Sequence, residues 1–238
     1  MTSTLTFACE TLRPGAPTLT RILTVTARQL VIAGWTGRDA AAIQHHIHEL
    51  EQIGVPAPSS VPLYYRAANS LLTQSPEVQV LGSTSSGEAE PVLFFADGEW
   101  WLTVGSDHTD RKVETYSVAV SKQMCAKPVG AHAWRWADVA DHQDALELRS
   151  RILEDGAWVT YQEGRLAAIR PLVSLRDGAF AGQAQDGCFV SCGTLGALPN
   201  ARGEGIRPAV AMELEIHDPR LSRTIVHRYS VDVLPVIA

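Results

Sequence analysis

The sequence predicts one strand-dominated domain carrying a single well-marked helix, and three observations support that expectation. Short runs rich in β-branched and aromatic residues recur along the chain and are punctuated by turn residues. One dipeptide between two such runs, Asp97-Gly98, is the strongest short-range signature of a two-residue type I′ hairpin turn. A third segment, Asp39–Ile53, instead places apolar residues at helical spacing. The chain has 238 residues, enough to bury a full core, and neither a linker nor an internal repeat divides it. One domain over residues 1–238 is expected, with an N-terminal β/helix elaboration over about 1–58.

In chain order, Thr4–Glu10 and Ile22–Thr26 read as a hairpin or meander around Pro14-Gly15-Ala16-Pro17, and Gln29–Ala33 as a further strand. Asp39 caps the helix, and Gly54, Pro56 and Pro58 end it. Pro62–Asn69 and Val78–Leu81 read as strands and Ser83–Ser86 as a loop. Val113–Val120 is compatible with strand or helix. Leu146–Leu153 and Trp158–Tyr161 flank Asp155-Gly156 and are expected to form a second hairpin, with a short helix as the alternative. Cys188–Cys192, Val210–Ile216 and Ile225–Val233 make the C-terminal half strongly β-biased.

The first hairpin gathers charge. If Ala96 faces Glu99 across the turn, counting outwards sets Glu88 opposite Asp107, and the two-residue period puts Glu90 on the face of Glu88. Three carboxylates close together repel one another and are costly to bury uncompensated, for which a divalent cation is the natural remedy. All-oxygen ligation favours Mg²⁺, Mn²⁺ or Ca²⁺ over zinc. On the helix, Ile43, Ile47, Leu50 and Ile53 form the apolar stripe and His46 falls inside it, while His45 and His48 fall outside. Glu49, three residues on, is within reach of His46, the arrangement in which a carboxylate orients an imidazole for general-base work. A core histidine held by a neighbour is the structural alternative.

Composition narrows the classes. Hydrophobic content of 45% and charged content of 19% belong to a globular protein. A formal charge of −6 without a local Lys/Arg cluster argues against nucleic acid and acidic membrane surfaces as partners. No apolar run is long enough to cross a bilayer, and Met1–Thr6 lacks the features of a signal peptide, so a cytoplasmic protein is expected. Cys9, Cys125, Cys188 and Cys192 form no zinc-type spacing and are expected as buried thiols. Neither a G-x-S-x-G elbow nor a phosphate-binding glycine motif is present.

Several motifs together resemble the fumarylacetoacetate hydrolase superfamily, in a divergent bacterial branch of unknown function. Val31–Leu50, with Gly34, Gly37 and His46-x-x-Glu49, resembles its G-x-N-Y-x-x-H-x-x-E segment, and Glu88-Ala89-Glu90 resembles its E-x-E. Gly105-Ser106-Asp107 through Arg111 resembles G-N-D-x-x-x-R, and Ser121-Lys122 with Pro128 resembles S-K-x-x-x-x-x-P. Gly193-Thr194-Leu195-Gly196 resembles G-T-P-x-G, and Pro62–Arg66 resembles P-x-x-F-x-K. The chain departs from the pattern in a short E-x-E to G-x-D segment, in Arg66 for the lysine, in the missing Asn-Tyr pair and in the loop proline.

The resemblance implies an α+β fold, FAH-like, with a rolled mixed β-sheet and few helices, often as a homodimer. It implies Mg²⁺ or Mn²⁺ held by Glu88, Glu90 and Asp107, and a 2-oxo acid or acylpyruvate-like substrate. The implied reaction is hydrolysis of a C–C bond through a metal-stabilised enolate, with His46, polarised by Glu49, activating water and Lys122 adding positive charge. Arg66 and Thr194 are implied to hold the substrate carboxylate. A lyase or isomerase on the same site (decarboxylase, hydratase or tautomerase) and a non-catalytic metal- or small-molecule-binding protein are the alternatives.

Overall fold

The computed structural model describes residues 2–52 and 57–237; His46 and residues 49–52 are described for their backbone alone. Two sheets dominate. An eight-stranded mixed sheet contains, in spatial order, Ala16–Thr26, Thr4–Arg13, His132–Arg135, Glu99–Ser106, Ala89–Ala96, Cys188–Ser191, Gln29–Gly34 and Leu63–Ala67. A five-stranded sheet contains Ala157–Arg165, Glu147–Glu154, Ala211–Asp218, Arg223–Leu234 and Glu77–Leu81. The α+β, sheet-rich character expected from the sequence is found, with few helices.

Alternation along the strands gives the larger sheet two apolar faces. Val31, Leu93, Leu102, Trp134 and Val190 pack against Leu148, Ile152, Leu214, Ile216 and Tyr229 of the five-stranded sheet. On the opposite face Phe7, Phe94 and Phe189 stack with centroid separations of 4.2 and 5.3 Å, beside Ile32, Val92 and Trp101. The expected type I′ turn at Asp97-Gly98 and the expected second hairpin at Asp155-Gly156 are both present, with φ of 54° and 75° in the first turn and 50° and 80° in the second. The N-terminal pair forms one long hairpin, and Asp39 caps the helix Ala40–Gln52 by accepting from the amides of Ala41 and Ala42.

Some elements differ from the sequence reading. Val113–Val120, compatible with strand or helix in the sequence, instead spans the end of one short helix, Arg111–Glu114, and the start of another, Val118–Met124, their starts capped by Asp110 and Ser117. Ser85–Ser86 pairs with Thr109–Asp110 and is not a free loop. The helix Leu172–Phe180 was not foreseen; Leu172, Leu175 and Phe180 bury its inner face. All four cysteines are buried free thiols, as expected.

Candidate active site

The acidic hairpin has the expected register. Ala96 pairs with Glu99 and Ala89 with Ser106, and the Asp107 amide donates to the Glu88 carbonyl at 3.0 Å, carrying the pairing one step further. Ala89 turns into the core between the sheets, which sends Glu88 and Glu90 to the other face. Gly105 lies opposite Glu90, and a Cβ there would stand 2.8 Å from Val92 and 3.0 Å from the Pro128 carbonyl, so the missing side chain keeps this corner open. Glu90 and Asp107 are buried.

Each carboxylate has a distinct set of partners. Glu90 accepts from the Ser191 hydroxyl and from the Gly193 amide at 3.1 Å. Asp107 is ion-paired with Lys122, from the helix Val118–Met124, and with Lys127 at 3.0 Å. Glu88 meets Arg111 at 3.2 Å, and Arg111 also donates to Ser86 Oγ at 2.7 Å. Burial first, and then the Asp107 charge, push Glu90 up to about 8. Burial alone would also raise Asp107, but Lys127 and Lys122 outweigh it and hold that carboxyl below its ordinary range. Glu88 is raised by burial, with Arg111 opposing.

Behind these groups lies a buried polar chain. Tyr229 OH meets Ser106 Oγ at 2.9 Å and His108 Nδ1 at 2.9 Å, and His108 Nε2 meets Ser85 Oγ at 3.0 Å. Burial pushes His108 down to about 3, so its imidazole is neutral. The hydroxyl of Tyr229 reaches this place because residue 87 is glycine; a Cβ would stand 2.3 Å from it.

The structure brings together Glu88, Glu90, Asp107 and Lys122, but not Arg66. Paired residues share a face, and the pairs Val92 with Ser191, Ser191 with Ile32, and Ile32 with Tyr65 carry the face of Glu90 to Tyr65. Arg66, one residue on, is exposed on the opposite face, so the expectation that it holds a substrate here is corrected. Tyr65 is the residue that meets the site, its ring 5.7 Å below the Lys122 ammonium. Thr194 is next to the site, yet its hydroxyl donates to the Ala89 carbonyl at 2.8 Å and accepts from Gln162 at 2.6 Å. His46 and Glu49 lie on the helix Ala40–Gln52, and their side chains fall outside the described residues.

Lys127, Ser191, Gln162 and Tyr229 were missed in the sequence. Lys127 sits inside the S-K to Pro128 spacing, and Ser191 is the lone hydroxyl in an apolar strand; both signals were local and available. Gln162 and Tyr229 reach the site only across the sheet interface, which no local pattern reveals.

Three carboxylates on one face supply hard oxygen donors, and Glu90, raised by burial first and by the Asp107 charge second, would regain its charge beside a cation, so the chemistry of the donors fits Mg²⁺ or Mn²⁺. Among the described residues, no three Asp, Glu, His or Cys side chains form a ligand cluster as they stand, because Asp107 faces two lysines and Glu88 faces Arg111.

No curated protein sequence matches this chain significantly. Solved structures do match in fold. Fumarylpyruvate hydrolase from Pseudomonas aeruginosa, in complex with Mn²⁺ and pyruvate, aligns with a TM-score of 0.59 at 14% identity, over 90% of this chain and 92% of that one. A 2-keto-3-deoxy-D-arabinonate dehydratase complexed with magnesium and 2,5-dioxopentanoate aligns with a TM-score of 0.60 at 12% identity, over 90% and 77%. Cg1458 aligns with a TM-score of 0.57 at 14% identity, over 95% and 88%. The FAH-like α+β fold expected from the sequence is therefore the fold this chain shares with these structures. Residues 33–229 match a family model described as a protein of unknown function, and the chain belongs to that family, DUF2848.

Proposed function

We propose that this chain is a metal-dependent enzyme that cleaves a C–C bond in an acylpyruvate-like or 2-oxo acid substrate by hydrolysis. The observation that carries the reading is the hairpin that sets Glu88, Glu90 and Asp107 on one face with Lys122 beside them. Glu88, Glu90 and Asp107 would hold Mg²⁺ or Mn²⁺, which supplies Lewis-acid stabilisation of a developing oxyanion. Lys122, held by Asp107 and shielded from solvent, adds a fixed positive charge where negative charge develops. Ser191 and the Gly193 amide orient Glu90 through its Oε2. His46, oriented by Glu49, is the proposed base that takes a proton from water. Thr194 is retained for its place beside Glu90, and contact with a substrate carboxylate would require its one hydroxyl proton to leave the Ala89 carbonyl. The reading includes a small oxo acid as partner, a cytoplasmic location and a homodimer.

Calorimetric titration with Mn²⁺, followed by oxalate as a planar oxo acid mimic, tests the site. Wild type is expected to bind Mn²⁺ and then oxalate, and Glu88→Ala and Asp107→Ala to bind neither; binding unchanged in both variants would sink the proposal. The likeness in fold to a dehydratase favours a second reading, a lyase on the same groups. Conversion of fumarylpyruvate in ¹⁸O-labelled water separates the two: hydrolysis puts label in a product carboxylate, whereas a lyase leaves the cleaved carboxylate unlabelled.

A further inference from the structure

Gln162 lies on the strand Ala157–Arg165 of the five-stranded sheet, paired with Ser150. Its side chain is fully buried, yet every hydrogen-bonding position of the amide is used. Oε1 accepts from the Ala89 amide at 2.8 Å and from Ser150 Oγ at 2.8 Å. Nε2 donates to Thr194 Oγ1 at 2.6 Å and to the Leu195 carbonyl at 2.7 Å. Two of these partners have no choice of role: a peptide N–H only donates and a carbonyl only accepts. They fix which end of the amide is oxygen, and the hydroxyls of Ser150 and Thr194 follow.

The consequence falls on Ala89. Its N–H is held by Gln162 and its carbonyl by Thr194, so both peptide groups of the residue between Glu88 and Glu90 are gripped from the core side. Because side chains alternate along a strand, this grip sets where the two flanking carboxylates project without touching either. The same amide holds Thr194 and Leu195, and the neighbouring Gly193 amide is a donor to Glu90. We propose that Gln162 is a positioning residue: one buried amide locks the Glu88-Ala89-Glu90 strand to the Gly193–Leu195 loop, and so sets the metal-ligand geometry and the substrate-facing loop together. The inference rests on the metal site proposed above.

The test is Mn²⁺ titration of the full chain, carried out well below each variant's melting temperature. Wild type, Gln162→Met, Ser150→Ala and Leu175→Ala are compared, the last a buried-core control on the helix Leu172–Phe180. Gln162→Met is expected to bind Mn²⁺ about 10- to 100-fold more weakly, the usual effect of losing an outer hydrogen-bond partner of a metal site. Leu175→Ala is expected to lower the melting temperature and leave the affinity at the wild-type value. Equal Mn²⁺ affinity in wild type and Gln162→Met would overturn the inference while leaving the metal site standing. If Gln162→Met does not fold, Ser150→Ala decides: it removes one donor to the amide and is expected to weaken Mn²⁺ about threefold, near one weak neutral hydrogen bond. An unchanged affinity there overturns the proposal. No Mn²⁺ binding by wild type overturns the site itself, and the inference with it.

Discussion

Lys122 and Lys127 share Asp107 but differ in how firmly they are placed. Lys127 is also bonded to the His108 carbonyl, whereas Lys122 extends from a short helix and lies over Tyr65. Lys122, beside Tyr65, is therefore the lysine placed to meet a ligand, and Lys127 remains to hold Asp107. Lys122→Met is expected to keep Mn²⁺ binding and to weaken oxalate about tenfold to a hundredfold, the loss of one charge-assisted hydrogen bond; oxalate titration of the Mn²⁺-loaded variant checks it. Gly193 shows how tightly the neighbouring loop is seated. It has φ of +89°, and a Cβ would stand 1.7 Å from Thr36 Oγ1. Gly193→Ala is expected to destabilise by about 2 kcal/mol or more, through both backbone conformation and overlap. Gly196→Ala, with nothing within 4 Å of its Cβ, is expected to stay close to wild type, and urea unfolding of the two variants checks both outcomes.

The acidic hairpin separates what a turn specifies from what burial specifies. Asp97-Gly98 announces the turn, but the register is held by buried pairs such as Leu93 with Leu102 and Phe94 with Trp101. Gly98 has φ of +75° and open space around it, so Gly98→Ala carries the left-handed backbone cost of about 1–2 kcal/mol and nothing else. Unfolding in urea is expected to show that loss, with Mn²⁺ affinity unchanged. Gly105→Ala, which would press a methyl group into the corner opposite Glu90, is expected to weaken Mn²⁺ as well. This hairpin was legible in the sequence because both its turn chemistry and its alternation are local. The helix Leu172–Phe180 was not, since its start lacks a side-chain cap hydrogen bond and its apolar face is defined by what it packs against. Arg66 was misplaced for a related reason: a motif gives spacing along a strand, whereas the face is set by pairing with Val31.

At the scale of the whole molecule, the site is assembled by the packing of two sheets. The carboxylates stand on one sheet, while Gln162 and Tyr229, which support their backbone and neighbours, come from the other. That partnership depends on strand order, which joins segments far apart in the chain, and it was therefore illegible from local patterns. The strand Arg223–Leu234, which carries Tyr229, lies between Ala211–Asp218 and Glu77–Leu81 in the smaller sheet, and its His227 gives a handle on global stability. Burial holds the His227 imidazole below its ordinary value, and its Nε2 is buried without a hydrogen-bond partner. As pH falls below about 6.5, the unfolded chain takes up a proton at this residue that the folded chain resists. Its contribution to stability is therefore complete above that pH and is lost as pH falls towards the depressed folded value. The slope is at most about 1.4 kcal/mol per pH unit for one proton. The ring stacks on Tyr229 with a centroid separation of 6.2 Å, a contact that phenylalanine preserves. In melts from pH 8 to pH 5, His227→Phe is expected to lose less stability than wild type on the acid side and to match it above pH 7. Parallel curves for the two proteins would mean that His227 is protonated as easily in the folded chain as in the unfolded one.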